Sequence, residues 1–165
     1  MNQELQKSVE QFLQRTQQKR LVGKVIDRIE IEEVNAKLNG LIPDWFINIM
    51  TTYPISGIEL AYQAYPPELD YDGLLWLELL NSQDIYSETN ECYPGVAIQE
   101  LGYFCIGGDS SGGGNPYFIS TTQGDNPPVF QVYHDVSDNP EEIEQEGMKK
   151  VAETLSQLFD RAILE

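Results

Sequence analysis

Few residues in this chain have the types and spacing that catalysis needs. Gly108-Asp109-Ser110-Ser111-Gly112 matches G-x-S-x-G, the pattern that exposes a nucleophilic serine on a strand-to-helix turn. A serine nucleophile needs a base within reach, and His134 is the only histidine. The turn also needs a helix directly after the serine, but Gly113, Gly114 and Pro116 follow. The protease order, with histidine ahead of serine, is missing as well. A hairpin loop whose glycines supply positive φ accounts for the same residues. The loop lacks the Lys-Ser/Thr ending of a phosphate-binding P-loop, and no lysine lies near it.

Metal chemistry fares no better. His134-Asp135 is an adjacent pair of the kind metal phosphohydrolases use, but those sites need further histidines. Cys92, Cys105 and His134 have no paired ligand spacing for zinc. Two cysteines do not make a disulfide framework. A histidine ending a strand, with Asp135 capping a turn, is the simpler reading. Glu68, Asp70 and Asp72 surround Tyr71 after Pro66-Pro67 and offer oxygen ligands, but the twelve-residue calcium-loop pattern is absent. We therefore expect no metal, no cofactor and no catalytic residues, and read the chain as a non-enzyme.

The acidic cluster is better read as a solvated rim. With Tyr62, Tyr65, Tyr71 and Trp76 nearby, it has the composition of a protein-binding patch, in which aromatics supply area and carboxylates meet a partner's Arg or Lys. Core packing is the better reading for Trp76. The candidate partner-binding residues are Glu68, Asp70, Tyr71 and Asp72, joined by Asp109 and Ser110 from the glycine loop.

Charge distribution supports a basic partner. No lysine or arginine occurs between Lys37 and Lys149, a stretch that holds 18 of the 27 acidic residues. All ten basic residues lie outside it. Such a field repels nucleic acid and anionic membrane and attracts basic proteins; plain solubility explains the same composition. The asymmetry predicts a mildly basic helical side and a strongly acidic side of sheet and loops.

The elements that must position these residues follow from periodicity. At 165 residues, one domain with a real core is expected. Leu5, Val9, Phe12 and Leu13 predict an amphipathic helix over Gln3–Lys19. A second helix is expected over Val25–Leu38, stopped by Asn39-Gly40. A third is expected over Asp44–Thr52, with Pro43 in its first turn. Strands are expected at Gly57–Tyr62 and Leu74–Leu80, then a short helix over Asn81–Asn90 and a turn at Tyr93-Pro94-Gly95. Three more strands follow at Leu101–Ile106, Tyr117–Ser120 and Val129–His134, with Gly107 and Gly108 assigned to a connection. Their short spacing requires antiparallel pairing. Met148, Val151, Leu155, Leu158, Phe159 and Ala162 predict one closing amphipathic helix. The fold class is α+β: a twisted antiparallel sheet packed by N-terminal helices and a C-terminal helix. The first residues lack the apolar run of a signal peptide and no segment is long enough to span a bilayer, so a cytoplasmic location is expected.

Several stretches together resemble the SUKH superfamily, in its Smi/Knr-like branch. Leu41-Ile42-Pro43-Asp44-Trp45-Phe46 is similar to the branch's entry to an early helix. Leu101-Gly102-Tyr103-Phe104-Cys105-Ile106-Gly107 resembles its central glycine-bearing strand. Ser111 to Ile119 resembles the hairpin after it, and Pro127 to Asp135 the next strand with its His-Asp ending. Thr154-Leu155-Ser156-Gln157-Leu158-Phe159 resembles its closing helix. The likeness spans roughly Ile29 to Ile163, so residues 1–24 read as a helical extension and 25–165 as the family-like core of a single domain, 1–165. The resemblance implies an immunity protein that binds and neutralises a cognate toxin, often a nuclease and therefore basic. The alternative it implies is a regulatory or scaffold protein of the cell-wall-regulator type. It supplies no catalytic residues. A monomer or weak dimer is expected.

Overall fold

Residues 2–165 are described in the computed structural model of the chain. Leu5, Val9 and Phe12 lie on one buried stripe of α1 (Gln3–Gln18), and the Asn2 side chain caps it by accepting from the Leu5 amide. Next come α2 (Arg28–Lys37) and α3 (Asp44–Thr52). α2 starts later than its periodicity suggests, because Lys24 bridges to Ser56 and the Ile26 amide donates to the Met50 carbonyl. Asp27 then caps the helix. The buried face consequently uses Ile31 and Val34, while Ile29 is 68% exposed. Asn39 and Gly40 both take positive φ and end α2, as expected.

The sheet has six strands in chain order, all antiparallel: β1 (Glu59–Gln63), β2 (Leu74–Leu79), β3 (Tyr103–Asp109), β4 (Tyr117–Ser120), β5 (Val129–Val132) and β6 (Met148–Ala152). α4 (Ser82–Asn90) and the short α5 (Gly95–Ile98) connect β2 to β3. α6 (Pro140–Glu146) lies between β5 and β6, and α7 (Leu155–Asp160) follows β6. The α+β class with an antiparallel sheet stands.

Three details differ from the periodicity reading. Gly107 and Gly108 lie inside β3 rather than in a loop. Gly107 pairs with Leu79 of β2, and a Cβ there would sit 2.7 Å from the Cδ1 of the neighbouring Leu77, so a larger residue would have to displace that leucine's side chain. His134 falls beyond β5, in the turn after Tyr133. The expected closing helix over Met148–Ala162 is instead a strand followed by a helix. Met148–Ala152 completes the sheet against β5, and Thr154 turns extended to cap α7 by accepting from the Gln157 amide. Tertiary pairing has overridden a helical spacing.

α1 and α7 pack directly on each other. The Phe12 and Phe159 rings lie 5.1 Å apart, and both side chains are buried. The Arg15 guanidinium donates to the Ala162 carbonyl at 2.7 Å and also to the Phe159 carbonyl, capping the C-terminal end of α7. Further along the core, Phe46 of α3 meets Phe104 of β3 edge to face at 5.1 Å.

Both outer strands are closed to further pairing. Ala61 of β1 exchanges two hydrogen bonds with Ile163, at 2.9 and 2.8 Å. β6 carries the exposed Lys149 and Lys150 in succession, and its register with β5 shifts by a bulge.

Tyr103, at the start of β3, is buried and donates to Glu144 of α6 at 3.1 Å. Burial, then the Glu144 carboxylate, pushes its hydroxyl up to about 12. The unfolded chain therefore releases this proton first, and stability should fall as pH climbs from about 10 towards 12. Urea midpoints followed alongside tyrosinate absorbance should show unfolding and ionisation moving together, and Tyr103→Phe should weaken that alkaline slope.

Candidate protein-binding site

An up-and-down sheet sends alternate connections to the same end. Gln63 pairs with Leu74, Gly107 with Tyr117, and Val132 with Met148. The segments 64–73, 110–116 and 133–147 therefore emerge together. They contain nine acidic residues and no lysine or arginine. Asp109 ends β3 at this same edge.

Segment 64–73 is a hairpin with a rigid tip. Glu68 and Tyr71 form an isolated bridge, with the Glu68 amide 2.6 Å from the Tyr71 carbonyl. The Tyr71 hydroxyl donates to the Leu74 carbonyl at 3.1 Å, and the Leu74 amide donates to Asp72 Oδ1 at 2.9 Å. The Gln63 amide nitrogen donates to the carbonyls of Tyr65 and Asp72 at 2.7 and 2.8 Å. Gly73 is obligatory: its φ is +78°, and a Cβ would strike the Tyr65 carbonyl. At the apex Leu69 is 99% exposed, between the exposed carboxylates of Glu68 and Asp70. Sequence reading found the four residues around this leucine but passed over Leu69 itself. The available signal was an apolar residue in a turn, between Pro66-Pro67 and Gly73.

Asp109 is used differently. Its Oδ1 accepts from the Ser111 amide at 3.0 Å and from the Ser111 hydroxyl at 2.5 Å, and its Oδ2 accepts from the Asn115 amide at 3.1 Å. The carboxylate thus folds the glycine loop around itself, an Asx-type turn. The Ser110 amide donates to the Trp76 carbonyl, and its side chain is exposed. After Ser110 the chain runs through the loop into β4, with no helix following it. The Nδ1 of His134 is taken up by Asn115 Oδ1 at 2.8 Å, and both residues sit at this end of the sheet. The structure therefore brings Glu68, Asp70, Tyr71 and Asp72 together at the hairpin tip. Asp109 and Ser110 stand at the same end, on the neighbouring loop.

In the third connection, Asn139 caps α6 by accepting from the Glu142 amide, with Pro140 in the first turn. Glu144 turns to Tyr103 and Glu142 accepts from Ser137, leaving Asp135, Asp138, Glu141 and Glu146 exposed. The sheet curls far enough that Lys149 of β6 lies over the Tyr65 ring, 5.8 Å from its centroid. Burial, then the neighbouring Tyr133 phenol, pushes the Tyr65 hydroxyl up to about 12. That hydroxyl is shielded from solvent and has no hydrogen-bond partner among the described residues. Removing it in Tyr65→Phe should stabilise the domain by about 1 kcal/mol, read as a raised urea midpoint with unchanged slope.

Trp76 of β2 is half-buried on the outward face of the hairpin, not in the core that sequence reading favoured for it. Cys92 and Cys105 are free thiols, one exposed and one buried. No helix among the described residues is long and apolar enough to cross a membrane.

A curled antiparallel sheet, backed by terminal helices and presenting an acidic hairpin end, defines a small α+β domain with the features of a protein-binding module. The chain belongs to the SMI1 / KNR4 family (SUKH-1), whose profile matches residues 2–161. The match takes in α1 as well as the sheet. The family includes toxin-immunity proteins that bind toxins, and its members are generally non-enzymatic immunity or regulatory proteins. Comparison with curated proteins and with solved structures gave no match.

Proposed function

We propose that this chain is an immunity protein that neutralises a cognate basic toxin by binding it at the acidic end of the sheet, without catalysis. The observation that carries the reading is the convergence of three connections with nine acidic residues and no lysine or arginine at one end of a family fold that includes toxin binders. A nuclease toxin must be basic to hold nucleic acid, so its own active surface is the natural complement. Electrostatic attraction of this kind speeds encounter and rejects acidic partners.

The hairpin tip is the best-built part of that surface. Its hydrogen bonds hold Leu69 and the flanking carboxylates in place before binding, which lowers the ordering cost of association. Leu69 would enter an apolar pocket on the toxin, while Glu68, Asp70 and Asp72 meet its basic rim. Asp109 would act through the shape of its loop, since its oxygens are already engaged.

Co-expression tests the reading. Cells making the cognate toxin should survive when the chain is present, and the two proteins should purify as a stoichiometric complex. Survival without a complex, or a complex without protection, would each defeat the proposal.

A further inference from the structure

The outward face of the β1–β2 hairpin holds a second feature, away from the tip. A groove of about 220 Å³ is lined by Val22, Ile58, Trp76 and Glu59, among others. Val22 is 88% exposed and Trp76 half-buried, so an apolar wall and an indole face are open to solvent there. Glu59 lies directly opposite Glu78 in the β1–β2 ladder, and both side chains are exposed. Like charges placed opposite each other across a sheet repel. Neither carboxylate has a basic partner within 4 Å among the described residues, whose ion pairs are Arg28–Glu32 and Lys150–Glu153. Lys24 lines an adjoining cavity with Glu78 but does not pair with it.

We propose that this groove receives an arginine side chain from a basic protein partner. A guanidinium stacks on an indole and binds carboxylates in a planar fork, whereas an ammonium does neither as well. Trp76 supplies the stacking face, Glu59 the acceptor within the groove, and Glu78, opposite Glu59 in the ladder and lining the adjoining cavity, the second acceptor, while the exposed Val22 walls the methylene stem. Binding there relieves the repulsion between the two glutamates. The groove is separate from the hairpin tip, because Glu59 and Glu78 lie at the opposite end of the ladder from Gln63 and Leu74. The proposal adds a second contact to the immunity reading but does not depend on the toxin's identity.

The test uses the whole chain with two probes, a tetra-arginine peptide and a tetra-lysine peptide. The Trp76 indole N–H is followed by NMR and assigned with a Trp45→Phe variant. Tetra-arginine should shift this signal saturably and bind at least threefold tighter than tetra-lysine. Glu59→Gln with Glu78→Gln should weaken tetra-arginine at least tenfold, while Glu33→Gln with Glu91→Gln, at exposed positions outside both sites, should change it less than twofold. Both double variants remove the same charge from exposed positions, so folding is preserved in each. An unmoved indole, equal binding of the two peptides, or equal weakening by both double variants would overturn the proposal. These outcomes leave the toxin co-expression result untouched, so failure of one idea is distinguishable from failure of the other.

Discussion

Replacing Phe12 with alanine should cost the domain about 3–5 kcal/mol, a large share of the roughly 5–15 kcal/mol that holds a domain of this kind together. Phe12 is fully buried, its ring touches Phe159, and Arg15 one turn later lies 5.9 Å over it while capping α7. Truncation opens a cavity between the first and last helices that neither can fill, since each is pinned elsewhere. Leu5 and Val9 are buried at 0% on the same stripe, and Leu155 and Leu158 are buried on α7. The expected result is a lower urea midpoint with an unchanged slope. A loss below about 1 kcal/mol would instead show α1 to be an extension that the core does not need, as the family-like span of residues 25–165 implies.

The second large effect concerns association. Reversing two charges at the hairpin tip, Asp70→Lys with Asp72→Lys, should slow association with the toxin at least about tenfold at low salt, because steering through a complementary field acts on the encounter rate. The dependence of that rate on ionic strength should flatten in the same variant. Leu69→Ala should leave the association rate and its salt dependence near the wild-type values and speed dissociation instead, since an apolar anchor acts once the surfaces have met. A wild-type association rate that ignores salt, or a charge-reversed tip that associates normally, would remove the tip from the interface. Stopped-flow mixing across a salt series measures all of these quantities.

Much of this architecture is written in local pattern. The α1 stripe, the Asn39-Gly40 stop and the β1–β2 hairpin follow from spacing and turn chemistry alone. What was hidden depends on contacts distant in the chain. β6 reads as helix because Met148, Val151, Leu155 and Leu158 repeat at helical intervals, and on this outer strand Lys149 and Lys150 are both exposed while Val151 and Ala152 are both buried, so no strand alternation shows. α6 has a single buried residue, Ile143, so no stripe marks it, and its signal was the Asn139-Pro140 start. Gly107 looked like a loop residue because nothing local reveals Leu77 pressed against it. The candidate site divides in the same way. The carboxylates at the tip are visible in the sequence, as is the lack of lysine and arginine between Lys37 and Lys149, but the approach of Lys149 to Tyr65 is not. The engagement of Asp109 by Ser111 and Asn115 is a matter of loop geometry. The opposition of Glu59 and Glu78 appears only when the register is known.

The sealed margins of the sheet have a consequence for how recognition can diversify. With one outer strand plugged by Ile163 and the other guarded by two lysines and a bulge, no partner can be held by extending the main-chain ladder. On the proposed reading, affinity would then be carried by side chains on the hairpin, the glycine loop and the β5–β6 connection. Such segments tolerate exchange without disturbing the packed frame beneath. The domain is in this sense a fixed chassis with replaceable fingertips, and relatives that share the frame but differ at positions 66–72 should each recognise a different antagonist.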